Sequence, residues 1–298
     1  MTTDTNDTAG DGELLATWLA RTVKVALRVI EANRECPVSD GVADGEWQDT
    51  TFGDELWGRF PAVAADFRAT IALRSAADHA LAAAGCLTTR PFASLTLARA
   101  VIEASAVSAF LSDPEIEYAE RCRRAVNEYL QALSEEARAL VQDGQSAKAA
   151  VNARKADRIL AAADGFEWGQ PRPTLPPDYR RVAAIGNPRP RIMTLIDDLL
   201  STASTRGFGS QQYRAVSAIA HAAPHAIGLV GDGSDPLTAR DIARRHLPML
   251  GAFGLAALIL CDRMGWDNHI LRVVYDKTLR LWLEAAEPGS SAGLIDVF

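Results

Sequence analysis

Six prolines, Pro171, Pro173, Pro176, Pro177, Pro188 and Pro190, crowd the segment 166–190. Proline has no backbone N–H, and its ring clashes with the preceding turn, so a stretch this dense in proline cannot be helix interior. On both sides of it apolar residues recur at three- and four-residue spacing, the period of one helix face. Alanine is abundant there, and regular runs of Val, Ile, Thr and Tyr are scarce, which favours helix over sheet. The pattern predicts an all-α protein, a helical bundle of about nine helices with 166–190 as a crossover loop. One helical domain is expected over 13–287. A polar, acidic tail at 1–12 is expected to be disordered, and Pro288-Gly289 opens a short C-terminal tail at 288–298.

Gly and Pro punctuation divides the helical stretches. The first, 13–33, carries Leu14, Leu15, Trp18, Leu19, Ala26 and Ile30, and Pro37 ends it. The second starts at Pro61, carries Val63, Phe67, Ile71 and Leu81, and stops at Gly85. The third, 91–112, turns Leu95, Ile102 and Phe110 inward. Then come 115–142, where Arg121, Arg123 and Arg124 interleave with Glu117, Glu120 and Glu128, and 145–163, polar except for Val151, Ile159 and Leu160. The arginines read as a solvated face, with an anion site as the alternative. Beyond the proline loop, which Arg180, Arg181, Arg189 and Arg191 make the most basic place in the chain, open to a phosphate-bearing ligand or simply to solvent, 191–204 is a short helix. Gly207 and Gly209 turn the chain into the next, which is expected to run to about Gly231. Asp235-Pro236 is read as the cap and first turn of a helix over 237–264, kinked at Pro248. The last helix, 267–283, is built on Ile270, Val273, Val274, Leu281 and Trp282.

The formal charge of −7 sets a field that repels nucleic acid, so any RNA must meet a local cationic group. Cys36, Cys86, Cys122 and Cys261 are widely spaced among apolar neighbours, as reduced thiols of a cytoplasmic protein would be. The N-terminus has no basic start or apolar run and does not read as a signal peptide. The most apolar run, 247–261, falls short of the ~20 residues that span a bilayer, so no membrane association is expected. Dinucleotide, Walker, Gly-x-Ser-x-Gly and His-Glu-x-x-His motifs are absent. Asp197-Asp198 lacks a matching acidic partner, and neither a metal nor another cofactor is expected.

Reactive side chains gather in Gln211-Gln212-Tyr213-Arg214-Ala215-Val216-Ser217-Ala218-Ile219-Ala220-His221-Ala222-Ala223-Pro224-His225. As a helix this puts Tyr213, Ser217, His221 and His225 on one stripe, with Arg214 two turns from His221. Arg99 and Glu103, at i,i+4 in an otherwise apolar run, form a pair that is at least partly buried. Three readings compete for the stripe. Its polar groups can be satisfied core residues. His221 and His225 have the spacing of two metal ligands on one turn. Or an arginine and an imidazole act together on one phosphate, the histidine taking a proton from the attacking hydroxyl and the arginine stabilising the developing charge.

The segments Arg99-x-x-x-Glu103, Asn187-Pro188-Arg189-Pro190 and Tyr213-Arg214-x-x-Ser217-x-x-x-His221 resemble those of a group of uncharacterised all-helical actinobacterial proteins, over most of 91–231. The Tyr-x-x-x-Ser-x-x-x-His helix is in turn similar to HEPN-like domains. That resemblance implies a frequently dimeric helical core and a metal-independent ribonuclease of a toxin or phage-defence type, working through an Arg-x4–6-His motif. Arg214 and His221, with six residues between them, match its spacing, and Ala215 stands where the motif has a polar residue. The implied site is Arg214 and His221 as catalytic residues, supported by Tyr213, Ser217, Arg99, Glu103 and His225, with RNA as substrate. A homodimer is expected from this and from Trp47, Trp57 and Trp282 as exposed candidates. The other functional class that stays open is a non-catalytic helical sensor or scaffold binding a small ligand or protein partner.

Overall fold

The computed structural model describes residues 7–33, 61–163, 184–185, 189–201, 207–221 and 238–287. Among them there are nine helices and no strand: α1 Asp7–Ala32, α2 Pro61–Cys86, α3 Pro91–Leu111, α4 Tyr118–Gln142, α5 Ser146–Ala163, α6 Ile192–Leu200, α7 Phe208–Ala220, α8 Ala239–Met264 and α9 His269–Ala286. The all-α reading is met. Helix α1 begins at Asp7, so the second half of the expected N-terminal tail is helical. Nearly all of the proline segment, and Trp47 and Trp57, lie outside the described residues.

The contacts gather into two compact units, where the sequence reading takes 13–287 as one domain. The first draws on Met1–Ser39, Ala69–Pro114 and Arg191–Phe298, the second on Asp40–Arg68 and Glu115–Pro190. In the second unit α4 lies along α5, and Cys122, Ala125, Val126, Leu130, Ile159 and Ala163 form the core with Ala65 and Ile185. The Asn127 amide clamps the Ile185 backbone, donating to its carbonyl at 2.9 Å and accepting its N–H at 2.8 Å. Arg189 Nε pairs with Glu128, and the Arg68 guanidinium lies 5.0 Å over the Tyr129 ring. Burial pushes the Glu128 carboxyl up, against the pull of Arg189 and Arg68. Of the arginines read as a solvated face, Arg123 and Arg124 pair with Glu120, while Arg121 is buried and donates to the Ile116 carbonyl.

The first unit is built around α8, which touches α1, α3, α6, α7 and α9. Its buried residues, among them Ile242, Ala243, His246, Leu250, Phe253, Ala256, Ala257, Leu260 and Cys261, cover every side of the helix. A capping box starts it: Thr238 Oγ1 accepts the Asp241 N–H at 3.1 Å, and the Asp241 carboxylate accepts the Thr238 N–H. The cap expected at Asp235 is therefore Thr238, in a Thr-x-x-Asp pattern that the sequence carries in plain sight. Gly265, at φ 64°, ends the helix with a left-handed turn closed by Trp266 N–H on the Cys261 carbonyl at 2.9 Å. Helix α8 and residues Phe92–Leu111 of α3 are long and apolar enough to cross a membrane, and both bury most of that length as core helices do. At 26 residues α8 exceeds the apolar run 247–261, and Ala239, Ile242, Ala243, His246 and Met264 extend its buried surface beyond that run.

Two close approaches shape this unit. A side chain on Gly254 would run into the Tyr275 ring of α9, so α8 and α9 meet where α8 has no side chain. A Cβ on Gly209 would lie 2.5 Å from the Ile196 carbonyl oxygen, which seats α7 directly on the α6 backbone. Polar ties cross the core as well. Thr22 and Thr278, both fully buried, share a hydroxyl hydrogen bond of 2.8 Å between α1 and α9, and Trp282 Nε1 donates to the Leu15 carbonyl. His246 is fully buried between α8 and α3. Its Nδ1–H donates to the Ile242 carbonyl and its Nε2 accepts the Ser94 hydroxyl, both at 3.0 Å.

Several sequence assignments of facing residues differ from this. Helix α2 buries Ala69, Leu73, Ala76, Ala77 and Ala80 and exposes Phe67 and Ile71, because alanine lets its neighbours come close while the larger side chains fall on the outer face. On α9, Ile270 and Val273 are exposed, and Trp282, counted as a surface residue, is among the largest fully buried side chains. Leu14 and Val151 are exposed. Cys122 and Cys261 are buried free thiols and Cys86 is a half-buried one; burial pushes Cys261 up to about 12.

Two outcomes follow from this packing. Gly254→Ala should lower stability by about 1–3 kcal/mol through overpacking against Tyr275. Gly85→Ala, whose Cβ meets nothing within 4 Å, should be neutral or slightly stabilising, and thermal melts of the two compare them directly. Burial lowers the His246 imidazole from 6.5 to about 4. Between those values the unfolded chain binds a proton that the folded chain refuses. The stability from this group is thus full above pH 6.5 and declines as pH falls, by on the order of 3 kcal/mol in all. Denaturant melts from pH 7 to 4 should show a shallower acid decline in His246→Asn than in the parent.

Candidate functional site

Helices α3 and α7 pack side by side in the first unit, with Leu95 of α3 and Ile219 of α7 buried together between them. Beyond this apolar contact α3 presents Arg99 and Glu103, one turn apart, and α7 presents Tyr213 and its own C-terminal end. These side chains form one connected network. Arg99 Nε donates to Glu103 Oε1 at 2.7 Å, Tyr213 Oη donates to the same oxygen at 2.6 Å, and Arg99 Nη1 donates to His221 Nε2 at 2.6 Å. The Arg99 guanidinium also leans over the Tyr213 ring, 5.7 Å from its centroid.

Each member has a distinct setting. Tyr213 is buried; Arg99 and Glu103 keep 26% and 34% of their side-chain surface in solvent, so a ligand can reach them; and His221 is exposed. The Glu103 hydrogen bond raises the Arg99 guanidinium further above neutrality, holding it a permanent cation. Burial and the Glu103 carboxylate raise the Tyr213 phenol, which stays a proton donor. Guanidinium has only donors, so His221 Nε2 is the acceptor in this contact.

Helix α7 ends at Ala220, with His221 as its C-cap and the His221 N–H on the Ser217 carbonyl at 3.0 Å. The expected continuation to about Gly231 is thus corrected for the described residues, and His225 lies outside them. Ser217 sits one turn before the histidine and is half-buried.

Arg214 takes a different place from the one its spacing suggests. It is exposed, and its charge acts on Asp197 of α6. No hydrogen bond joins it to His221 among the described residues; the guanidinium at the imidazole belongs to Arg99. The aspartate is a hub that sequence reasoning passed over. Asp197 Oδ1 accepts the Ser210 N–H at 2.7 Å and the Ser201 hydroxyl at 3.2 Å, and Oδ2 accepts the Ser210 hydroxyl at 3.0 Å. Burial raises this carboxyl, but the Ser210 and Ser201 hydrogen bonds and the Arg214 charge outweigh it, and the net shift is downward. Asp197 therefore caps the first turn of α7 from the neighbouring helix. The signal available in sequence was an aspartate shortly before a Gly-x-Gly turn that lacks a capping side chain of its own, since Gly207 occupies the N-cap.

The arrangement offers a fixed cation, an exposed imidazole with a lone pair toward that cation, and a carboxylate and phenol that orient the cation from behind. Among the described residues no group of three His, Cys, Asp or Glu side chains could hold a metal ion. Compared with protein-family models, curated proteins and solved structures, the chain matches none. The capping role makes a direct test: Asp197→Ala should lower stability by about 0.5–2 kcal/mol in urea denaturation, the range for loss of a helix cap.

Proposed function

We propose that the Arg99–Glu103–Tyr213–His221 network is the working site of a metal-independent ribonuclease on a HEPN-like helical core, serving a toxin or phage-defence role in the cytoplasm. The observation that carries this reading is the contact of Arg99 Nη1 with His221 Nε2 at a solvent-reached position. A permanent cation beside an imidazole is the pair that in-line transesterification of RNA uses. The imidazole takes the 2′-hydroxyl proton, and the guanidinium stabilises charge on the non-bridging oxygens. Glu103 and Tyr213 touch Arg99 and not His221, so they act as positioning residues. In this reading Arg99 takes the part the sequence motif assigns to Arg214, and Arg214 serves the α6–α7 junction.

The second reading is a non-catalytic sensor or scaffold that uses the same network to bind a small ligand or a protein partner. It is favoured by the separation of Arg214 from His221, which leaves the HEPN-type motif pair apart. Cleavage assays with purified protein in chelator separate the two. The ribonuclease reading expects His221→Ala and Arg99→Ala each to reduce RNA cleavage at least about 100-fold, the scale of one acid–base group. Arg214→Ala should retain cleavage, and helical circular dichroism should be unchanged throughout. A wild type inert on RNA leaves the binding reading. A homodimer belongs to the first reading, and the exposed Ile270 and Val273 of α9 are apolar surface for it. Light scattering should then give twice the mass of one chain.

A further inference from the structure

The base nitrogen of the proposed site is already occupied. His221 Nε2 spends its lone pair on Arg99 Nη1, and while that contact lasts it cannot take a proton from a hydroxyl. The same contact sets a condition for its release. Of the five N–H groups of a guanidinium, Nε–H goes to Glu103 and one on Nη1 to His221, and the group also leans on Tyr213. Donors remain, and a quarter of the side chain is in solvent. The Glu103 charge that would oppose an incoming anion is shared, because its Oε1 accepts from both Arg99 and Tyr213.

We propose that Arg99 is an oxyanion receptor for a phosphodiester, and that diester binding draws Nη1 away from His221, exposing the Nε2 lone pair only when the ligand is in place. This rests on reading the network as the working site and adds how it is switched on. In the contact with the neutral imidazole only the donor is charged, whereas with a phosphoryl oxygen both partners are ionised and Coulomb attraction adds to the hydrogen bond. A phosphodiester therefore displaces the imidazole from Arg99. The charged groups of the network are Arg99 and Glu103 of α3, and the neutral Tyr213 phenol of α7 is held by Glu103. Arg214, also on α7, has its charge acting on Asp197 of α6, which is committed to Ser210 and Ser201.

The test follows the His221 Nε2 resonance by nitrogen NMR on the full chain, identified by its loss in His221→Asn. Two probes are used: inorganic phosphate, and a 2′-O-methyl RNA oligonucleotide, which carries the diesters but lacks the 2′ nucleophile and so cannot be cleaved. In the wild type the resonance should leave the position of an arginine-bonded acceptor as the oligonucleotide is added. It should approach the position that Arg99→Gln shows without any probe. In Arg99→Gln the oligonucleotide should leave it unmoved and bind about tenfold or more weakly. A wild-type resonance that stays put at saturating oligonucleotide overturns the proposal, and needs no variant to be read. So does the same response in Arg99→Gln. Inorganic phosphate, which offers Arg99 the same oxygens, should move the wild-type resonance in the same direction. Because neither probe is cleaved, a protein that shows the exchange but cuts no RNA loses the ribonuclease reading and keeps this one.

Discussion

A helix buried on every side can be approached closely only where its own side chains are small, and α8 is such a helix. Gly254 admits the Tyr275 ring, and Ala243, Ala252, Ala256 and Ala257 are fully or almost fully buried along the same length. Close approach of this kind gains dispersion contacts over long helix faces. It also leaves little tolerance. Interiors are packed like crystals, so one added methyl group at Gly254 must move a neighbouring helix. The one ionisable group on α8 that is fully buried, His246, is admitted in the neutral form, with both ring nitrogens satisfied by Ile242 and Ser94.

That constraint reaches the candidate site through α3. Helix α3 is held by α8 on one side, in part by the Ser94–His246 hydrogen bond, and it faces α7 on the other. The α7 helix is set against α6 by Gly209 and by the Asp197 cap on Ser210. With both partners fixed, Arg99 and Glu103 meet Tyr213 and His221 within hydrogen-bonding distance. A half-buried guanidinium needs a counter-charge, which Glu103 supplies. The remaining donors are what make the place chemically useful. Most of the network is therefore orientation: Tyr213 holds Glu103, Glu103 holds Arg99, and among the described residues Arg99 is the side chain hydrogen-bonded to the imidazole.

Much of the helical architecture was legible in the sequence, because helical period and proline punctuation are local properties. Leu15, Leu19, Ile30, Leu95 and Ile102 were read as core and are buried. The polar residues of the network were legible too, since Arg99, Glu103, Tyr213 and His221 stand out against alanine-rich surroundings. Their connections were less so. The spacing of Arg214 and His221 suggested one helix face, yet the helix ends at Ala220, and the partner of the imidazole comes from residue 99. Spacing along a helix says which side chains share a stripe, and it says nothing about which other helix lies opposite.

The misread faces have the same origin. On α2, Phe67 and Ile71 look like the core stripe by hydrophobicity, and the structure buries the alanines instead. Trp282 looks like a surface aromatic near the chain's end and is fully buried against Leu15. By itself the sequence determined that this chain is all-helical, roughly where its helices break, and which side chains are able to do chemistry, because these follow from backbone propensity and residue type. Only the tertiary structure decided which small-residue faces close on one another, that Asp197 caps a helix other than its own, and that Arg99 stands at His221. Those follow from the packing of helices distant in sequence, where the area buried at each interface, and not local periodicity, selects the partner.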